Sequence, residues 1–228
     1  MDLRVSDHYL DKAGEKYIEQ RLAKPAASKY WIALTYFRRY LTGAERVLDF
    51  GCGIGGLLDL VRHHVTQADG LEVNPAAAAK AREVTGCKVF ESIEELPNDQ
   101  MYDVIISNHV LEHVRDVCTT LEMLLPHLRI GGRLVTMLPI NDYRDRYFRR
   151  WDRNDKDHHL QTWPPRLFAN VLYESGYDVE ECRVINSRWH PKLEPFATVG
   201  LWRVAAWMFA TVKRRRQLLA VGFRPTEQ

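Results

Sequence analysis

Residues 47–56 read VLDFGCGIGG, four glycines and one carboxylate in ten positions. Two ligand-binding spacings coexist in that stretch. Gly51, Gly53 and Gly56 form G-x-G-x-x-G, a turn that lets backbone N–H groups approach a pyrophosphate. Asp49, Gly51, Gly53 and Gly55 form D-x-G-x-G-x-G instead. The carboxylate separates the two readings. Asp49 would repel a diphosphate and attract a ligand that carries positive charge, such as a sulfonium with an α-ammonium group. Glu72 follows 21 residues after Gly51, where an acid accepts ribose hydroxyls. That acid serves either ligand, so the discrimination rests on Asp49.

A second group of reactive side chains lies in "NHVLEH". His109, Glu112 and His113 stand at i, i+3 and i+4, one face if the segment is helical, and His158 and His159 follow in a polar, aromatic stretch. Imidazoles with a carboxylate can ligate a divalent ion such as zinc. A neutral imidazole can also take a proton from a hydroxyl near pH 7. We read the group without a metal. His109 is the first candidate for a general base and His159 the second, since ligands of open α/β sheets bind at the carboxyl edge of the strands. Plain packing and hydrogen bonding is the competing explanation for His109, and more so for His113.

These residues need elements to hold them. "ERVLDF", "ADGLEV", "CKVFES", "YDVIIS" and "GGRLVTMLPI" read as strands; "GGLLDLVRHH" and "NPAAAAKARE" read as helices, the latter opened by Asn74 and Pro75. "HVLEHVRDVCTTLEMLLPHL" reads as helical, divided near Asp116, and a further helix is expected from Thr162 as cap to Gly176 as stop. "YDVEECRVINS" and "QLLAVGFRP" complete the set as two final strands. Alternation of this kind predicts an α/β fold: a Rossmann-like, seven-stranded, mostly parallel sheet with helices on both faces and an antiparallel final strand. Residues 1–45 form an amphipathic N-terminal helical cap and 46–228 the main domain. Within the latter, 141–163 is a long acceptor-side loop and 195–216 a hydrophobic insert.

Composition narrows the classes. The 228 residues are 46% hydrophobic and carry a formal charge of +2, one core's worth of chain with no basic stripe for nucleic acid. Four scattered cysteines make no C-x-x-C, and the polar N-terminal stretch is no signal peptide, so the cytoplasm is the expected location. No segment is long enough for a separate dehydrogenase substrate domain, and no Tyr-x-x-x-Lys occurs. Nothing in the sequence sets an oligomeric state.

With these motifs the chain resembles the class I S-adenosylmethionine (SAM)-dependent methyltransferases of small molecules. The likeness runs over residues 45–182 and returns in the last strand, carried by "VLDFGCGIGG", "GLEVNP", "YDVIISNHVLEHVRD", "LRIGGRLVTMLP" and "HHLQTWPPRLFANVLYESGY". It implies SAM as cofactor, with Asp49, Gly51, Gly53 and Gly55 around the methionine moiety and Glu72 at the ribose. Ser92 and Ile93 would flank the adenine, although many relatives have Asp where this chain has Ser92, and Asn108 would lie under the cofactor. The expected activity is O-methylation of a small or lipid-linked acceptor, a glycan or quinone-like precursor. The alternatives are RNA methylation, for which "YRDRYFRRWDR" offers aromatic and basic groups among interleaved aspartates, or a non-catalytic SAM-binding partner protein. Tyr9, Tyr17, Tyr143 and Arg146 are further candidates for the acceptor pocket.

The stretch "PFATVGLWRVAAWMFATVKRRR" is apolar nearly all round. Eighteen residues from Pro195 would make a helix of about 27 Å, close to a bilayer core. Arg203 near its middle would cost about 2.5–3.5 kcal/mol there, so a spanning helix is not expected. Trp residues beside a basic run point to a peripheral contact at the inner face of the membrane through 195–216, against core packing, a dimer contact or a lid.

Overall fold

The computed structural model describes residues 27–43, 45–98, 101–140, 151, 158–186, 202–212 and 216–226. Its strands are β1 (Arg46–Phe50), β2 (Gln67–Leu71), β3 (Val89–Phe90), β4 (Tyr102–Asn108), β5 (Leu128–Ile140), β6 (Asp178–Ile185) and β7 (Arg216–Phe223). They form one seven-stranded sheet in the order β3-β2-β1-β4-β5-β7-β6. β1 to β5 run parallel, and β7 pairs antiparallel with both β5 and β6, as the sequence predicts. The helices are α1 (Ala27–Phe37), α2 (Gly56–Val61), α3 (Pro75–Thr85), α4 (Val117–Leu124), α5 (Pro165–Glu174) and α6 (Trp202–Val212).

The central strands are covered on both sides, which is why they read as unbroken apolar runs rather than alternating ones. Successive residues still point to opposite faces. Leu48, Ile105, Leu134 and Leu218 enter one core layer with α4 and α5, through Leu121 and Phe168. Val47, Ile106, Val135 and Leu219 enter the other, against Phe37 of α1 and Leu57 of α2. The described part of the N-terminal segment therefore packs on the sheet itself.

Local chemistry sets the helix ends. The Asn74 side chain accepts the N–H groups of Ala76 and Ala77, Pro75 supplies a pre-set first position, and Gly86 closes α3 at φ 68°. Two expectations need correction. Thr162 does not cap α5, which starts from an extended Pro164 with no side-chain cap. Pro164 and Pro165 lack N–H groups, so the first turn has fewer donors to satisfy, and a residue before proline is driven to extended backbone. Nor is 109–113 an α-helix. His109 adopts a left-handed backbone at φ 59°, a single 3₁₀ turn spans Leu111–His113, and Asp116 caps a new helix by accepting the Thr119 N–H. The one-face spacing expected for His109, Glu112 and His113 thus comes from a tight turn instead.

Candidate active site

The glycine turn leaves β1 at Phe50 and is tied to β2, because the N–H groups of Gly51 and Cys52 both donate to the Leu71 carbonyl at 2.8 and 3.0 Å. Gly51, Gly53 and Gly55 take left-handed φ values of 75, 56 and 85°, whereas Gly56 does not. The three left-handed positions are thus the glycines of the D-x-G-x-G-x-G spacing. Gly56 serves packing: a Cβ there would sit 2.3 Å from the Tyr30 ring on α1. A Cβ on Gly51 would fall 2.3 Å from Val110 Cγ2, so the turn lies directly against the segment that follows β4. A Cβ on Gly53 would meet nothing within 4 Å, so at this position the turn faces open space.

Two carboxylates lie behind it. Glu72 accepts the N–H of Gly53 and of Asn74, both at 2.9 Å. Burial raises its carboxyl above the ordinary range against those two hydrogen bonds. Asp49 is 2% exposed, and its Oδ2 has no hydrogen-bond partner among the described residues. Burial, then repulsion from Glu72, lifts its pKa to about 7, with the Leu58 N–H pulling the other way. The same field acts on Cys52, whose thiol is pushed up by burial and by both acids. Among the described residues no lysine or arginine pairs with Asp49 or Glu72. An anionic diphosphate would be repelled here, and a cationic guest would relieve the charge.

At the edge of the sheet, β4 ends with Asn108 opposite Met137. His109 continues that pairing through its N–H to the Met137 carbonyl, 2.9 Å. Its left-handed backbone is an uncommon state for a residue with a side chain, and such strain gathers at working sites. The His109 Nδ1 stands 3.3 Å from Glu112 Oε1. On the other side of the ring, Nε2 is 2.6 Å from the side-chain amide nitrogen of Gln217. The ionised Glu112 carboxylate can only accept, so it favours the ring proton on Nδ1 and leaves Nε2 to accept from the Gln217 amide.

Glu112 is 1% exposed, with neither oxygen in a well-aligned hydrogen bond among the described residues. His113 Nε2 and His159 Nε2 lie 3.8 and 4.0 Å from its Oε1. Burial raises the carboxyl, but His109 first, then His113 and His159, outweigh it and hold it below the ordinary range. The Leu160 N–H to Glu112 carbonyl bond, 2.8 Å, and the Gln161 amide on the Val114 carbonyl dock residues 158–161 here. Three of the four histidines thus meet around one buried carboxylate, and the His158 backbone carbonyl lies 3.4 Å from His113 Nδ1. Glu112, His113 and His159 also bring ligand-type atoms within 4.8 Å of one another, a donor set a divalent ion could use.

The remaining expected residues divide. Ser92 hydrogen-bonds Glu94 just after β3, while the Ile93 side chain is buried in the core with Leu71 and Leu96. Tyr9, Tyr17, Tyr143 and Arg146 lie outside the described residues, as does most of "YRDRYFRRWDR". Sequence reasoning missed Gln217 altogether. It is 108 positions from His109, and only the β5–β7 register, Pro139 opposite Gln217, brings the two together.

A methyltransferase-domain family model matches residues 7–182, well over half of the chain. The chain belongs to that methyltransferase family. Its cofactor is S-adenosylmethionine, in accord with paired acids behind a glycine turn. Among curated relatives, a ubiquinone biosynthesis O-methyltransferase of Rickettsia akari is 30% identical over 141 residues, 58% of this chain and 55% of that protein. One from Rickettsia felis is 33% identical over 140 residues, 58% and 56% respectively. The chain thus matches little more than half the length of these relatives. A solved methyltransferase of Haloferax volcanii, in complex with the Trm112 activator, superposes with a TM-score of 0.69 at 20% identity, covering 98% of this chain and 99% of that one, a likeness of fold.

Proposed function

We propose that this methyltransferase-family chain transfers a methyl group from SAM to the hydroxyl oxygen of a small or lipid-linked acceptor of the quinone-precursor type. The observation that carries the reading is the His109–Glu112 contact at the end of β4, beside a glycine turn that Val110 touches. Bound SAM supplies an activated methyl on a sulfonium sulfur. The chain's own residues supply alignment and a place for the acceptor's proton. His109 receives that proton at Nε2, and the Glu112 carboxylate stabilises the resulting imidazolium, as a buried acid does behind a catalytic histidine. Gln217 occupies Nε2 beforehand, so an acceptor hydroxyl takes the place of its amide. The names of the Rickettsia relatives support a hydroxyl acceptor in quinone synthesis. The reading locates the work in the cytoplasm, at the inner face of the membrane when the acceptor carries a lipid tail. Residues 158–161, docked beside Glu112, stand on the acceptor side, and most of the loop 141–157 and residues 1–26, expected around the acceptor, lie outside the described residues.

A radiolabelled-methyl assay against phenols with and without an alkyl tail, glycans and RNA tests this. Label in phenols alone is expected. Label in RNA, or SAM binding with no methyl transfer to any fraction, would contradict it.

A further inference from the structure

Helix α6 presents its side chains in the reverse of the order a core helix uses. Its small residues Ala206 and Ala210 face the protein, 2% and 0% exposed, with Ala206 packed on Ile32 of α1. Four of its large apolar residues face out: Val204 and Trp207 are 55% exposed, Met208 54% and Val212 77%, while Phe209 packs inward with Ala206 and Ile32. Those four recur at i, i+3, i+4 and i+8, one continuous stripe opposite the packed face. In the sequence Lys213, Arg214, Arg215 and Arg216 follow Val212 directly. Another cation stands near the α1–α6 contact, because Arg39 lies 5.8 Å from the ring of Tyr36, which packs against Ile32 and Ala206.

We infer that the outward face of α6 docks on an anionic phospholipid surface. An apolar stripe with Trp and Met, followed in sequence by four consecutive cations, matches the two parts of such a surface: acyl chains below and negative head groups at the edge. The helix is about 16 Å long, half the thickness of a bilayer core, and among the described residues no helix is long and apolar enough to cross a membrane. It therefore lies along the interface. A second copy of the chain suits the face less well, since residues 195–216 carry five cations and no acid, so the same segment of a partner copy would bring no anion to the basic run. The inference rests on the position of α6, not on the acceptor chemistry; a lipid-linked acceptor would give the docking a purpose.

The test is co-sedimentation of the full chain with vesicles of phosphatidylcholine alone and of phosphatidylcholine mixed with phosphatidylglycerol. Two variants accompany it: Trp207→Glu with Met208→Glu, and Lys213, Arg214 and Arg215 each changed to Glu. Both keep Ala206 and Ala210, and SAM binding by calorimetry reports that each remains folded. The expected result is binding to the anionic vesicles at least about tenfold tighter than to the neutral ones, lost in both variants. Binding that survives either variant, or no binding by the parent chain, overturns the inference. A dimer in ultracentrifugation that dissolves in the apolar variant, with no vesicle binding, overturns it too and gives the face to a second copy. Methyl transfer to a soluble phenol is read separately in all three proteins, so a failure of docking is distinguishable from a failure of the proposed reaction.

Discussion

The Nδ1 of His109 stands 3.3 Å from the Oε1 of a carboxylate, Glu112, that is almost wholly removed from solvent. A buried carboxylate beside an imidazole fixes the ring's proton and favours the protonated ring once it accepts another. The substitution Glu112→Gln keeps the shape and removes the charge. We expect kcat to fall about 10²-fold, within the range of general-base effects, with SAM affinity unchanged by calorimetry. A kcat within twofold of the parent would remove the base from the account.

Gly53 and Gly56 separate cofactor binding from packing. Gly53→Ala places a Cβ in open space but forces a left-handed backbone on alanine, a strain of about 1–2 kcal/mol. SAM affinity should fall about tenfold. Gly56→Ala presses on Tyr30, so it should lower the melting temperature and leave SAM affinity near the parent value. The reverse pattern would favour the G-x-G-x-x-G spacing.

Asp49 makes the cofactor equilibrium depend on pH. Its pKa rises from 3.8 to about 7 in the folded chain, through burial and then Glu72. Between those values the folded state holds a proton that the unfolded state has released. This group alone therefore makes the chain less stable as pH rises through that window, with no further change above it. A cationic ligand favours the ionised form, so SAM binding releases a proton below about pH 7. The SAM dissociation constant should increase as pH falls below that point, by up to about tenfold per unit. A pH-independent constant between pH 5 and 8 would show that Asp49 does not sense the ligand (an assay range spanning that pKa).

Chelation tests the other chemistry open to the histidine cluster. Glu112 partners His109 without a divalent ion, so methyl transfer should stay within twofold after treatment with EDTA. Activity lost on chelation and restored by an added divalent ion would instead assign Glu112, His113 and His159 as ligands.

Much of this was legible from short-range chemistry. The β1 run, Asn74 with Pro75, and the acid–glycine spacing each act through neighbours in sequence, and each is found where its residues place it. The "NHVLEH" segment was legible in its residues but not in its shape. Its spacing fits an α-helix, yet the left-handed His109 and the Asp116 cap, both local backbone choices, divide it into a turn and a separate helix. Gln217 was illegible because β-sheet pairing joins residues with no sequence period between them. The outward stripe of α6 was visible as apolar residues, but which side α1 covers depends on tertiary packing.

The charge preference of the glycine turn, with Asp49 and Glu72 behind it, decides between SAM and a dinucleotide. Isothermal calorimetry of the full chain with SAM and, separately, with NAD tests it most directly. We predict saturable binding of SAM and none of NAD. Binding of NAD with no heat from SAM would contradict the account at its foundation.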